Sequence, residues 1–219
     1  MPESRSSLKK QRIRRFFLNF ETSKKKKKNV EEIHDDIVNE GLCYIQMKLP
    51  LTKITPEFES KIIERVEHNF LKAKMREASK EDLESVIAIH NRAWLTANTP
   101  FSPLSYETLS KIHGYTDTVI LVAKVYGVDA GFIILDFEGS NKEYGIIAGL
   151  GIIPRFQRRG LGKILGVAAW TYFKERNIEE LRCEVYIDNI ASYNFIKSIG
   201  FEEFDKKVYK LEDFHFSED

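Results

Sequence analysis

The sequence predicts a mixed α/β fold, in which a central sheet is covered by helices on both faces and preceded by an N-terminal extension. Three observations point there. Helical and strand periodicities follow one another from about residue 42 to residue 211. The pattern turns strand-like at Val119, where Val119–Tyr126 and Ala130–Phe137 flank a Gly127-Val128-Asp129 turn. The apolar run Tyr144–Ile153 is broken by Gly145, Gly149 and Gly151, and glycines inside a strand mark a bulge or a close backbone approach.

Taken in order, residues 29–39 read as a short helix, capped by Asn29 with Glu32 closing a capping box, and Gly41 ends it. Leu42–Leu49 reads as a strand bounded by Pro50. Thr55 caps the next helix, with Pro56 in its first turn. Phe58, Ile62, Val66 and Phe70 recur every fourth residue there, and such a stripe needs a partner surface, a homodimer interface being one candidate. Lys74–Ala78 is a short strand. Ser79 and Asp82 form a capping box before a helix that carries Leu83, Val86, Ile87, Ile89 and His90 to about Trp94. Pro100 and Pro103 mark a loop, and Ser105 caps another short helix. After the Glu138–Lys142 turn and the glycine-broken strand, a helix runs from Gly160 to Arg176 and a strand covers Leu181–Ile187. Asn189–Ile199 is a helix stopped by Gly200. Phe201–Phe204 and Val208–Leu211 are short final strands. This divides the chain into a basic arm with a short helix (1–40), a strand–helix extension (41–73) and a domain over 74–219.

Composition narrows the classes. With 219 residues and 42% hydrophobic side chains the chain can bury a sizeable core. Cys43 and Cys183 are too few for a disulfide framework and suit a reducing, cytoplasmic setting. No Cys/His cluster has metal-ligand spacing, so no metal is expected. No apolar run approaches the about 20 residues that span a bilayer, and no apolar core of a secretory signal stands near the start. The net charge of +1 hides an asymmetry. Residues 1–28 hold eleven Lys or Arg against Glu3 and Glu21, a balance of +9; the rest carries 23 basic against 31 acidic residues, −8. A basic tail on an acidic body suggests a polyanion partner for the tail, although like-charge blocks usually stay solvated. Ser4–Phe17 is also rich in Arg and Ser, as transit peptides are, but the Lys24–Lys28 block is not typical of them.

The stretch from Gly149 to Lys163 carries the chemistry. A buried strand ends at Pro154, and a short basic loop enters a helix through Gly160 and Gly162. That arrangement exposes backbone N–H groups at the positive end of a helix dipole, and glycines let phosphate approach. Arg158, Arg159 and Lys163 add charge. On physical grounds this is a phosphate or pyrophosphate site. A P-loop fits poorly: Ile164 stands where Ser or Thr is needed, and Gln157 where the first glycine is needed. A dinucleotide fingerprint also fits poorly, because Gly166 comes one residue late and five residues separate Pro154 from Gly160. For a bare G-x-G, a helix start with small packing residues is the stronger reading.

Gln157-Arg-Arg-Gly160-Leu-Gly162 resembles the Gln/Arg-x-x-Gly-x-Gly/Ala motif of GNAT acetyltransferases. Pro154, Leu150 and Ile152 stand where that family places them. Asn189, with Gly200-Phe201 eleven residues later, is similar to its second motif, and Arg76–Leu83 with Ile89–Trp94 resembles its first strand and helix. The likeness covers residues 74 to about 211. It implies a mixed, largely antiparallel twisted sheet flanked by helices, with a bulge near Leu150–Ile152 that splays two strands. It implies N-acetyl transfer from acetyl-CoA to an amine by direct attack. An N–H near Ile152 would polarise the thioester carbonyl, and backbone groups of Arg158, Arg159, Gly160, Leu161, Gly162 and Lys163 would hold the pyrophosphate. Asn189 would contact pantetheine or the helix start. Many members carry an acid tyrosine seven residues after the motif asparagine; Ile196 stands there, and Tyr193, one turn back, is the candidate substitute. Its absence from that place also admits a catalytically weak CoA-binding protein whose basic arm docks on polyanions. Trp94, Phe101 and Tyr106 would wall the acceptor pocket. Glu143, His90 and His113 are weaker candidates for a base, and Cys183 reads as a packing residue.

Overall fold

The computed structural model describes residues 41–68, 71–94 and 104–210. The helix expected over 29–39, the basic arm, Phe70 and Phe101 lie outside the described residues. Strand β1 (Leu42–Pro50) leads into helix α1 (Pro56–Glu67), where Thr55 Oγ1 accepts from the Phe58 N–H at 3.2 Å. Strand β2 (Ala73–Glu77) follows, then the Ser79/Asp82 capping box on a short 3₁₀ turn, helix α2 (Leu83–Trp94) and helix α3 (Tyr106–His113). Strands β3 (Val119–Val125) and β4 (Val128–Glu138) form a hairpin. Its turn is tighter than expected: Tyr126 and Gly127 have φ of 49° and 80°, the signature of a two-residue turn that matches strand twist. Strand β5 (Tyr144–Ile152), helix α4 (Leu161–Lys174), strand β6 (Glu180–Tyr186), helix α5 (Ile190–Ser198) and strand β7 (Glu202–Tyr209) complete the order. The two short final strands expected from residue 201 onward are one continuous strand, because it pairs along β1 across a register shift at Gln46/Met47.

The strands form one sheet in the order β2-β3-β4-β5-β6-β1-β7. Neighbours are antiparallel except β5 and β6, which are parallel. The residues read as an extension therefore supply an interior strand: Ile45 is paired with Val185 of β6 and with Lys206 of β7. Neither β6 nor β7 meets the other; β1 provides the hydrogen-bonding edge to both.

Helices cover both faces because β4 is buried on both. At Gly131 the Cβ position would lie 3.2 Å from Leu165 of α4, whereas the next residue, Phe132, packs its ring 6.3 Å from His90 of α2. Alternation along the strand thus assigns α4 and α2 to opposite faces. Helix α4 buries Leu161, Ile164, Leu165, Ala169 and Phe173, a stripe at helical spacing. Helices α1 and α5 pack beside it: Phe58 and Phe195 are the nearest side chains to the Cβ positions of Gly200 and Gly162. The α1 stripe is used inside the chain. Phe58 and Ile62 line a groove against α4, Val66 packs on the core, and Glu59 pairs with Lys174 at 2.7 Å. On the α2 side, Arg76 bonds Asp82 at 2.6 Å and Asp129 at 2.9 Å, and Ser85 Oγ donates to Asp129 at 2.9 Å. This ties β2 and the start of α2 to the β3–β4 hairpin.

Candidate active site

The site begins where β5 and β6 part. Their parallel pairing runs from Tyr144/Glu180 to Ile147/Cys183 and stops. On the other side of β5, Ile134 is paired with Gly149 and Leu135 with Ile147, which leaves Ala148 as an extra residue. The bulge thus sits at Ala148, two residues before the expected Leu150–Ile152, and bulges bend the strand that carries them. Ile153 N–H donates to Ala130 O at 3.0 Å. In an antiparallel ladder the backbone groups alternate, so those of Ile152 and Leu150 face away from β4, into the gap that β6 has left. The Ile152 carbonyl accepts from Gln157 Nε2 at 2.8 Å, which ties the loop to the strand.

The gap is a cleft of about 150 Å³ that passes through the sheet. Leu150, Gly166 and Phe195 line its α4 side, and Trp94 its α2 side. Asn189 stands at its rim and caps α5, its Oδ1 accepting from the Ser192 N–H at 3.1 Å. The helix-start role of Asn189 is therefore observed directly.

Beyond β5 the chain makes a 3₁₀ turn at Pro154–Phe156 and then takes left-handed backbone twice, at Arg158 (φ 56°) and at Gly160 (φ 89°), the N-cap of α4. Left-handed backbone costs a non-glycine residue about 1–2 kcal/mol. At the start of α4 the Lys163 N–H already donates to Gly160 O at 3.0 Å, so the helix-start amides left for a ligand are those of Leu161 and Gly162. Arg158 and Arg159 are exposed, and Lys163 is half-buried along α4. Leu161 is fully buried in the core, so only its backbone can serve a ligand. The two glycines differ. Gly160 is required by its φ. At Gly162 a Cβ would meet the Phe195 ring at 3.1 Å, so this glycine lets α4 and α5 close on each other.

Tyr193 is not in the cleft. Its hydroxyl donates to Glu203 of β7 and its ring lies under Lys197, while Ser192, Phe195 and Ile196 take the cleft-facing positions. One helical turn preserves a face only roughly, and here the offset carries the phenol to the β7 side. Among the other candidates, Glu143 accepts from the Asn141 N–H at 2.9 Å and closes its own turn. The His113 ring is 3.0 Å from Ala78 O. His90 is 1% exposed and stacks on Trp94 at 4.1 Å. Cys183 is buried, which pushes its thiol pKa far up and keeps it protonated. Tyr106 is exposed.

The groups that the sequence reading missed stand on the α2 face of β6 and β1. Cys183 shares a face with Ile147, so Glu184 and Tyr186 alternate with it and point the other way. Glu184 lines the cleft, and both its oxygens accept from the Tyr209 hydroxyl, at 2.8 and 3.0 Å. Tyr44, opposite Tyr186 in the β1–β6 register, packs its ring 5.5 Å from Tyr186 and 5.8 Å from Tyr209. It also lines the cleft. The available signal was a carboxylate inside a strand read as buried, since such groups are rarely buried without partners.

Three comparisons relate the chain to known proteins. The model of the acetyltransferase (GNAT) family matches residues 83–201, just over half of the chain. A mycothiol acetyltransferase of Rhodococcus erythropolis (strain PR4 / NBRC 100887) is 34% identical over 67 residues; the match covers 31% of this chain and 22% of that protein. Among solved structures, AAC(6')-Iy in complex with a CoA bisubstrate analogue superposes with a TM-score of 0.53 at 20% identity, covering 63% of this chain and 95% of that one. The ribosomal-protein-S18-alanine N-acetyltransferase from Escherichia coli superposes with a TM-score of 0.52 at 22% identity, over 61% and 79% of the two chains. These likenesses establish the fold, and with the family match the chain belongs to the GNAT acetyltransferase family.

Proposed function

We propose that this chain transfers the acetyl group of acetyl-CoA to a primary amine, with Glu184 as the group that takes the amine's proton. The observation that carries this reading is the parting of β5 from β6 after Ile147 and Cys183, which leaves one edge of β5 open beside the basic loop. Leu150 and Ile152 offer that edge to the amide groups of a pantetheine arm, as a neighbouring strand would. The backbone from Arg158 to Lys163, with the side chains of Arg158, Arg159 and Lys163, suits a pyrophosphate. Asn189 stands where the arm would pass. Bound acetyl-CoA supplies an activated acyl carbon.

The chain's own residues then have defined tasks. An N–H at Leu150 or Ile152 donates to the carbonyl oxygen as negative charge develops there. Glu184 accepts one proton from the incoming ammonium. The free amine attacks, a C–N bond forms and the C–S bond breaks. Nitrogen sheds its second proton, and one proton ends on the leaving sulfur. With Tyr193 turned to Glu203, that proton comes from solvent or from the nitrogen itself.

The two free cysteines suit a cytoplasmic setting. None of the described helices is long and apolar enough to cross a membrane. The basic arm, outside the described residues, is proposed as a polyanion-docking segment on its charge alone. Phe58, Ile62 and Val66 of the α1 stripe are half-buried against their own chain, and the stripe is not put forward as a dimer surface.

The test is CoA release from acetyl-CoA against a panel of amines, with melting curves in CoA, ATP and NAD. Saturation at about 100 times the dissociation constant adds ~2.7 kcal/mol of stability, and CoA alone among the three should raise the melting temperature. Glu184→Gln should lower kcat by ~10²–10⁴ with CoA affinity unchanged. A shift with NAD and none with CoA, or full turnover in Glu184→Gln, overturns the respective part.

A further inference from the structure

We propose that Tyr44 is an acceptor-binding residue: its phenol oxygen, together with the Glu184 carboxylate, holds the primary ammonium of the acceptor. The N-terminal strand, rather than the motif-bearing part of the chain, then shapes acceptor choice. This rests on the acetyl-transfer reading and names the acceptor's chemical class. Tyr44 is 6% exposed, and its hydroxyl has no hydrogen-bond partner among the described residues. The neighbouring Tyr209 is different, since its hydroxyl is engaged by both oxygens of Glu184. A tyrosine buried for packing alone is served better by phenylalanine, because the hydroxyl loses water and gains nothing. Tyr44 lines the cleft together with Glu184 and Tyr186, on the wall that an acceptor entering from the α2 side would meet, and its hydroxyl is buried there without a partner among the described residues.

The chemistry of that wall selects a cation. One carboxylate is present, and the Tyr44 phenol stays neutral because burial and Glu184 both push its pKa up. A neutral phenol oxygen accepts an N–H, and the faces of Tyr44, Tyr186 and Trp94 favour positive charge. A primary ammonium has three N–H donors, enough for the carboxylate and the phenol together. A purely apolar acceptor would leave the phenol oxygen unsatisfied, and an anionic one would also face the carboxylate. Lysine side chains, chain N-termini and small alkylamines share this group, so the test has an arm for each.

CoA-saturated protein is titrated calorimetrically with n-butylammonium, Nα-acetyl-lysinamide and alaninamide, with n-butanol as the uncharged control. The wild type and Tyr44→Phe are compared, and the same amines are assayed for turnover with acetyl-CoA. Tyr44→Phe should weaken the preferred ammonium about tenfold and raise its KM in parallel. Acetyl-CoA affinity should hold and the melting temperature should not fall; a purely structural role would move the melting temperature instead. Equal ammonium affinity in the variant, or butanol bound as tightly as the ammonium, overturns the proposal. If the wild type turns amines over while Tyr44→Phe binds them normally, the Tyr44 assignment alone fails. If the wild type neither binds nor acetylates any of the amines, the acetyl-transfer reading fails with it.

Discussion

The two sides of the cleft are built differently. On the α4 side, the proposed phosphate site is one contiguous stretch of backbone, Gln157 to Lys163, with two left-handed residues leading into a helix start. On the α2 side, the wall is made of side chains from two strands, Glu184 and Tyr186 on β6 and Tyr44 on β1, and Tyr209 of β7 holds Glu184 from behind. Glu184 and Tyr44 are 140 residues apart in sequence and two strand positions apart in register. A backbone site for a constant ligand needs a fixed local motif. A side-chain wall can change with the ligand without disturbing that motif.

Removing residues 1–73 should break this comparison most severely. It deletes an interior strand and leaves β6 and β7 with no shared edge, so the truncated chain should lose its cooperative melting transition. A shortened protein that melts sharply and binds CoA would show that β1 only decorates the sheet.

Next comes the loop. Gly160→Ala should cost about 1–2 kcal/mol of stability, because φ of 89° is foreign to a side chain, and it should weaken CoA binding. Gly162→Val should lower the melting temperature by pushing α4 from Phe195. Calorimetric CoA affinities beside melting curves separate the two. If Gly162→Val loses CoA binding at full stability, the phosphate reading of that glycine returns.

Asp129 sharpens the contrast between holding the fold and serving the site. Its hydrogen bond to Arg76 holds its carboxyl pKa below the usual range, and the same partner lowers that of Asp82. A depressed carboxylate pKa adds stability above the unfolded-state value, and that stability is lost as pH falls through the folded-state value. Wild-type melting temperature should therefore drop on acidification below the ordinary carboxylate range. Asp129→Asn should melt about 1–3 kcal/mol less stably at neutral pH, with a shallower acid slope and unchanged KM values. An unchanged acid slope would assign the pH dependence to other carboxylates.

The smallest effect belongs to Tyr193→Phe. With its hydroxyl on Glu203, outside the cleft, turnover should stay at the wild-type level. A fall of ~10²-fold at unchanged acetyl-CoA affinity would bring the phenol back as the acid.

Much of the fold was legible. The capping residues Thr55, Ser105 and Asn189 sit where local chemistry demands them, each accepting from an N–H three residues on. Such signals are local: a short polar side chain, a helix start and an apolar stripe within one or two turns. The left-handed turn into α4 at Gly160 was legible for the same reason. The hairpin turn was misplaced by one residue because Val128 and Asp129, which look like turn residues, are held in the ladder by Val125 and Lys124. The last strand was divided because its polar middle is exposed and only its pairing with β1 defines it.

The sequence by itself determined the helices and strands, their caps and the glycine turn into α4, because each depends on residues within a few positions of one another. Tertiary structure alone decided that β1 enters the sheet between β6 and β7. It also decided that Tyr193 turns away from the cleft and that Tyr44 meets Glu184. Those outcomes depend on which strand edges meet and which helix face is covered. Periodicity along one segment is silent about both, since any buried strand offers the same backbone edge to every candidate partner.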